Sequence, residues 1–244
     1  CLNWGCIPTK ALLKSAQVYD YLKHVDSYGL KAKEIDKDFG AVIKRSRGVA
    51  ESMSKGVQFL MKKNKIEVIE GYGTLKTGKK VAVKDSEGKE TTYEASHIII
   101  ATGARSRELP SLPQDGKKII GYRKAMTLEN QPEKMIVVGS GAIGVEFAFF
   151  YNAMGTEVTV VEYLPNIVPV EDEEISKQLE RSFKKSGVKV MTSSEVTSVD
   201  TSGDGVKATI KTAKGEQVLE ADIVLSAVGI KTNIENIGLE EVGI

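Results

Sequence analysis

The residues best suited to do chemistry stand first. The chain opens CLNWGCIPTKALLKSA, and Cys1 and Cys6 are the only cysteines among its 244 residues. Any thiol chemistry must therefore be theirs. A pair five positions apart closes too small a loop to stabilise a fold of this size, so a structural disulfide is the weaker reading. A zinc site needs about four ligands, and the only histidines, His24 and His97, have no ligand spacing with each other or with the cysteines. No metal is expected. Residues five apart on a regular helix are separated by about 7.5 Å along the axis, beyond the roughly 7 Å Cα limit for a disulfide. A redox pair with this spacing must leave the helix at one end. Gly5 permits the unusual backbone this needs, and Pro8 suits the first turn of a helix continued by TKALLKSAQVYDYL, with apolar positions at Leu12, Leu13, Ala16, Val18, Tyr19 and Leu22. Cys6 then falls near the helix N-terminus, where free N–H groups and the macrodipole favour the thiolate that attacks disulfides. Two buried, inert thiols are the alternative.

A second stretch, EKMIVVGSGAIGVEFAFFYNAMGTEVTVVE, carries a different chemistry. A strand over Met135 to Val138 leads into Gly139-Ser140-Gly141-Ala142-Ile143-Gly144-Val145-Glu146. A helix to about Met154 and a second strand, Val158 to Val161, ending on Glu162, follow. Gly139 allows the tight turn, Gly141 lets the backbone approach a pyrophosphate, and Gly144 lets helix and strand pack closely. The helix N-terminus supplies N–H donors for phosphates. Glu162 lies 23 residues after Gly139, about the spacing of an acid that accepts ribose hydroxyls. A carboxylate there repels a 2′-phosphate, and residues 157 to 180 contain no arginine, so NAD is preferred over NADP. A glycine-rich turn kept only for packing is the competing explanation. A later buried strand, Ile223 to Val228, would deliver Gly229 to the carboxyl edge of the same sheet, where open α/β sheets bind ligands.

The elements around these stretches follow from period and punctuation. Phe39, Val42, Ile43, Val49, Met53, Val57, Leu60 and Met61 recur at three and four, which predicts one helix over about 39 to 63 with a core-facing stripe. Residues 66 to 103 alternate between Gly-containing turns, as a small antiparallel meander does, and end in HIIIATG, which reads as a buried strand. Two prolines close together place a domain boundary near residues 104 to 112. DEEISKQLERSFKKSGVKV reads as helix then strand, and further strands lead to Ile223. Apolar content of 41% is enough for an ordinary core, and 34 basic against 33 acidic residues leave no field to gather nucleic acid or an anionic membrane. No apolar run approaches the roughly 20 residues of a membrane helix, so the chain reads as a soluble protein without a leader.

The stretches CLNWGCIPTKALL, ATGARSRELP, VVGSGAIGVEF…VTVVE and ADIVLSAVG, in this order, resemble the flavin-dependent pyridine-nucleotide disulfide oxidoreductases, and within them the dihydrolipoamide dehydrogenases. The resemblance implies an α/β fold: the later part of an FAD-binding Rossmann-like domain over 1–106, an NAD-binding Rossmann-like domain over 107–232, and the start of a return to the FAD domain over 233–244. It also implies an internal piece of a longer, homodimeric protein. Cys1 would be the interchange thiol and Cys6 the thiol against the flavin. Lys10 would reach the flavin, and Gly73, Thr102, Gly103 and Ala104 would line its adenosine and phosphate side. Glu146 would lie near the nicotinamide, and Val196 and Gly229 would close the NAD site by backbone contact. The implied activity is oxidation of dihydrolipoamide through a redox disulfide and FAD, with NAD as acceptor. The implied partner is a lipoamide-bearing protein of a 2-oxoacid dehydrogenase or glycine cleavage complex, in the cytoplasm or the mitochondrial matrix. A sister reductase of the glutathione or mercuric type is the alternative, as is a nucleotide-binding unit without catalysis. These 244 residues alone are expected to bind NAD weakly and to hold no stoichiometric FAD. Family members often read glycine-arginine-x-proline-asparagine after the last NAD strand. Here Ile230, Lys231 and Thr232 follow Gly229, with Lys231 a stand-in for the arginine.

Overall fold

The computed structural model describes all 244 residues. Its helices are α1 (Cys6–Lys23), α2 (Phe39–Lys63), α3 (Tyr122–Ala125), α4 (Ala142–Ala153) and α5 (Glu173–Lys185). The strands begin with β1 (Tyr72–Lys76), β2 (Lys80–Lys84), β3 (Glu90–Glu94) and β4 (Ala104–Ser106). β5 (Ile119–Ile120), β6 (Lys134–Val138), β7 (Glu157–Val161) and β8 (Lys189–Met191) follow, then β9 (Glu195–Asp200), β10 (Val206–Thr212), β11 (Gly215–Ala221), β12 (Ile223–Ser226) and β13 (Ile230–Thr232). The chain divides into two compact units, one of Cys1–Ser54 with Ser106–Gly229 and one of Lys55–Arg105 with Ile230–Ile244.

The first unit is built on a parallel sheet in the order β5-β12-β6-β7-β8. KMIVV, EVTVV and IVLS are nearly continuous apolar runs, as strands buried on both faces require. In register, Val137 lies between Val160 and Leu225. Alternate side chains serve opposite layers. Val137, Val160 and Leu225 join Phe147, Phe150 and Tyr151 of α4 and Leu12 and Ala16 of α1 in one cluster. Ile136, Val138, Val161 and Val224 join Val196, Val206, Ala208 and Ile210 of the antiparallel β11-β10-β9 sheet in the other. Leu12 is fully buried, a contribution of about 1.5–3 kcal/mol. α5 starts on Asp172, whose carboxylate accepts from Glu174 N at 2.8 Å and from Ile175 N at 3.4 Å.

The segment expected as 1–106 is divided between the two units, because the buried stripe of α1 and the first half of α2 pack on α4. The Phe39 ring lies 6.2 Å from that of Phe150 and 6.1 Å from that of Tyr151. The expected stripe on α2 is core only as far as Ala50; Met53, Val57 and Leu60 are exposed. The expected strand to Val228 ends at Ser226, where the chain bends so that Ala227 O lies against Gly139.

The second unit holds the expected meander, β1-β2-β3, with Gly73 opposite Val83. β4 pairs with β13, and the chain after β13 runs along β1, where Leu75 N donates to Ile237 O at 2.7 Å. Gly238 is required in that contact: it has φ +80°, and a Cβ there would lie 2.3 Å from Leu75 O. HIIIATG corrects the expectation of a buried strand. His97 to Gly103 form no strand, and Ile99 is 91% exposed. An apolar run forms a buried strand only where a neighbour completes its ladder, and no strand pairs with it here.

Candidate functional site

The two thiols meet at the start of α1. Cys6 is the first helical residue, and Cys1 folds back over it so that the two Sγ atoms lie 2.7 Å apart. Both thiols are free and exposed, which sets aside the reading as buried, inert groups. The turn is closed by Ile7 N donating to Cys1 O at 3.2 Å and by the Thr9 hydroxyl donating to Gly5 O at 2.8 Å. Gly5 is needed for the approach, since a Cβ there would stand 2.9 Å from Cys1 Cα. Pro8, in the first turn, lacks only an N–H that no helical carbonyl would receive. The disulfide-compatible pair is thus made by one residue on the helix and one off it.

Several side chains outside the cysteine motif hold this turn. Arg47 of α2 donates to Asn3 O at 2.6 Å and lies over the Trp4 ring, 4.2 Å from its centroid. Ser54 donates to Asn3 Oδ1 at 3.0 Å. Neither was expected from the sequence, where both belong to an unremarkable polar face of a helix. Lys10, one turn after Cys6, makes an ion pair with Glu146 of α4. Two residues singled out separately are therefore one structural element in the first unit.

The glycine-rich loop forms the floor of a crevice of about 590 Å³ at the carboxyl ends of β6, β7 and β12. Each glycine has a separate physical reason. Gly139 has φ +93°, and a Cβ there would strike Ala227 O at 2.5 Å. A Cβ on Gly144 would lie 2.0 Å from Gly139 O. Gly141 has φ −66° and nothing within 4 Å of the position a Cβ would take, so its openness is toward the crevice. No side chain caps α4, which leaves the N–H groups of its first turn at Ala142 and Ile143 for a ligand. Val145, in the same turn, donates to Gly141 O at 3.1 Å and completes the helix start.

Glu162 follows β7 and is buried. Its Oε2 accepts from Ser140 N at 2.8 Å and from the Ser140 hydroxyl at 2.6 Å, and its Oε1 accepts from Leu164 N at 2.8 Å. The carboxylate thus fastens the loop in addition to facing the crevice, with part of the acceptor capacity of Oε1 left over. Val196 and Gly229 line the same crevice, as do Arg107, Tyr163 and Glu195, which sequence patterns did not single out. Gly229 O is occupied by Arg107 N at 3.0 Å.

Gly73, Thr102, Gly103 and Ala104 lie in the second unit. Thr102 and Gly103 are interlocked with Asn233: the Thr102 hydroxyl donates to Asn233 O at 2.5 Å, Asn233 N to Gly103 O at 3.0 Å, and Asn233 Nδ2 to Thr102 O at 3.1 Å. Gly103 has φ +76° and Ala104 opens β4. Lys231, expected as a substitute cation, is instead paired with Glu235 at 2.7 Å, beside Arg105 to the same carboxylate at 2.8 Å. These cations hold Glu235 far below the usual carboxylate range, the Arg105 hydrogen bond being the largest cause and Lys231 the next.

The whole chain, residues 1–244, matches the family described as pyridine nucleotide-disulphide oxidoreductase. It is 45% identical to a dihydrolipoyl dehydrogenase of Zymomonas mobilis, covering all of this chain and 53% of that protein. It is 47% identical to a dihydrolipoyl dehydrogenase of Rhizobium etli, covering 54% of it. The fold is similar to the crystal structure of LpdA from Mycobacterium tuberculosis, with a TM-score of 0.90 at 29% identity over all of this chain and 53% of that one. The chain spans about half the length of the curated relatives it matches.

Proposed function

Since the chain belongs to the pyridine nucleotide-disulphide oxidoreductase family, we propose that the protein carrying it is a dihydrolipoyl dehydrogenase, oxidising dihydrolipoamide with FAD and NAD as its redox groups. The observation that carries this reading is the thiol turn: Cys1 and Cys6 touch at 2.7 Å in an exposed position at a helix start. The residues fit both groups as far as this chain supplies them. For NAD, the open face of Gly141 lies over the uncapped start of α4. For FAD, Lys10 is exposed in the first unit; in the second, Gly73, Thr102 and Gly103 are exposed, and Gly103 holds a backbone conformation natural to glycine.

The thiol steps balance without any other reagent. With Cys1 and Cys6 joined as a disulfide, one thiolate of the dithiol substrate attacks Cys1 Sγ, and Cys6 leaves as a thiolate. The second substrate thiol attacks the substrate sulfur of the mixed disulfide and releases Cys1, so the substrate departs as a cyclic disulfide. Two electrons and two protons have passed to the pair. Gly5 permits the close approach that brings the two sulfurs to 2.7 Å. Electron transfer from the thiol pair toward NAD is the chemistry that FAD supplies when bound. Lys10 would supply a cation that favours negative charge on the reduced ring, and its ion pair with Glu146 would orient that cation.

Gly139, Gly141 and the start of α4 would seat the pyrophosphate, and Val196 and Gly229, which line the same crevice, would close it. Glu162 rejects a 2′-phosphate, which argues against the sister reductases that use NADPH. A lipoamide-bearing protein of a 2-oxoacid dehydrogenase or glycine cleavage complex is the proposed partner, and a homodimer the proposed assembly. No helix is long and apolar enough to cross a membrane, and a cytoplasmic or mitochondrial-matrix location accords with the chemistry. Replacement of Cys6 by serine in the full-length protein should abolish NADH-driven lipoamide reduction while leaving NADH binding intact. Near-normal turnover would overturn the mechanism.

A further inference from the structure

Arg107 stands opposite Glu162 across the glycine loop. The sheet order places β12 on one side of β6 and β7 on the other, so Gly229 and Glu162 flank Gly139 from opposite sides. Arg107 belongs to the Gly229 side: its N–H donates to Gly229 O at 3.0 Å, and its side-chain Cδ lies 4.0 Å from where a Gly229 Cβ would be. The backbone is fixed, whereas the guanidinium is exposed and has no hydrogen-bond or ion-pair partner. Arg105, two positions earlier, is by contrast committed to Glu235.

The charge of the crevice gives this free guanidinium its meaning. Arg107 is the only cationic residue lining it, whereas two carboxylates, Glu162 and Glu195, line it as well. α4, whose start would face the phosphates, contains no lysine or arginine and carries Glu146. A dinucleotide would therefore bring the two negative charges of its pyrophosphate into a crevice whose ionised groups are otherwise acidic. Backbone N–H groups offset part of that repulsion. A planar guanidinium that can reach two phosphate oxygens offsets it more directly.

We propose that Arg107 is a cofactor-binding residue that pairs with the pyrophosphate of the dinucleotide, on the side of the glycine loop opposite the ribose acid. This rests on the reading of the crevice as an NAD site. Its position also separates it from the arginines that read a 2′-phosphate, because those would have to stand beside Glu162.

The test uses the full-length protein with Arg107→Gln and Arg107→Lys, titrated with NADH by fluorescence and challenged with ADP and adenosine as competitors. The expected result is a dissociation constant for NADH and ADP raised about tenfold or more in Arg107→Gln. Adenosine, which has no phosphate, should compete as in the wild type, and Arg107→Lys should recover part of the loss. The binding of NADH should also lose much of its dependence on salt. Unchanged NADH affinity in Arg107→Gln would overturn the proposal and leave the NAD site standing, as would an equal loss for adenosine. A loss confined to NADPH would overturn it in favour of 2′-phosphate reading. Failure of the wild type itself to bind NADH would overturn the NAD site on which the proposal rests.

Discussion

The ammonium of Lys10 and the carboxylate of Glu146 are 136 positions apart and joined in an ion pair that links α1, the helix of Cys6, to α4, the helix of the glycine loop. The Lys10 side chain is 61% exposed and that of Glu146 29%, so solvent screens most of the attraction. A double-mutant cycle of Lys10→Met and Glu146→Gln, read by urea unfolding, should give a coupling of about 1 kcal/mol or less. On the proposed role of Lys10, the same variants of the full-length protein should lose turnover by about tenfold or more. Turnover that tracks the small change in stability would show the pair to be structural only.

Glycine loops invite a sharper test, since two of their glycines should fail in different ways. A methyl group at Gly144 would overlap Gly139 O, a backbone atom that has nowhere to go. Gly144→Ala should destabilise the first unit by about 2–4 kcal/mol and abolish NADH binding together. Gly141→Ala has room and an ordinary φ, so unfolding should change by less than about 1 kcal/mol while NADH affinity falls. Equal thermal shifts for the two variants would contradict these assignments.

Glu162 carries two duties that one substitution separates. Ser140 is fully buried, and both its N–H and its hydroxyl donate to Glu162 Oε2. Glu162→Ala strands those donors and should cost about 2–4 kcal/mol in urea unfolding, more than an exposed ribose acid would. In turnover, the wild type should favour NADH over NADPH and Glu162→Ala should narrow that ratio. A wild type more efficient with NADPH would sink the cofactor assignment.

Tyr151 predicts a response to alkali. Burial pushes its phenol well above the ordinary tyrosine range, and the hydroxyl donates to Ala125 O at 2.6 Å inside the core. Because the folded state holds the proton more tightly than the unfolded chain, this contribution is complete below the unfolded value near pH 10 and is lost progressively above it. Urea midpoints of the wild type should therefore fall more steeply between about pH 9 and 11 than those of Tyr151→Phe. Parallel slopes would exclude ionisation of Tyr151 as a source of alkaline instability.

Residues 39–63 form the helix that their spacing predicts, and the strand, loop, helix and strand from 134 to 162 stand in the expected order. Both signals are local, since a helix repeats every three or four residues and a fingerprint glycine acts on atoms a few residues away. What was illegible is pairing at a distance. Ile98 to Ile100 have the composition of a buried strand, but composition does not state whether a neighbour is present. Arg107 lies just ahead of Pro110 in a stretch with no helical or strand period, and its hydrogen bond to Gly229, at the crevice that both line, joins residues 122 positions apart. Ser140 stands between two fingerprint glycines, and nothing local states that its hydroxyl is half of the fastening to Glu162. Arg47 was one polar residue among many until the fold set it over Trp4.

The first unit is discontinuous, made from residues 1–54 and 106–229, with residues 55–105 of the second unit inserted between and residues 230–244 of it following. During synthesis, α1 emerges long before the helix that covers Leu12 and Ala16, so the redox turn must wait on the ribosome for a partner more than a hundred residues away. Unsatisfied apolar surface on a nascent chain invites wrong associations, and distant pairings form slowly. The buried face of α1 can therefore be covered only after α4, residues 142–153, has been made. A gene truncated at the seam near residue 105 would yield cysteines with every motif residue intact and no α4 to seat them.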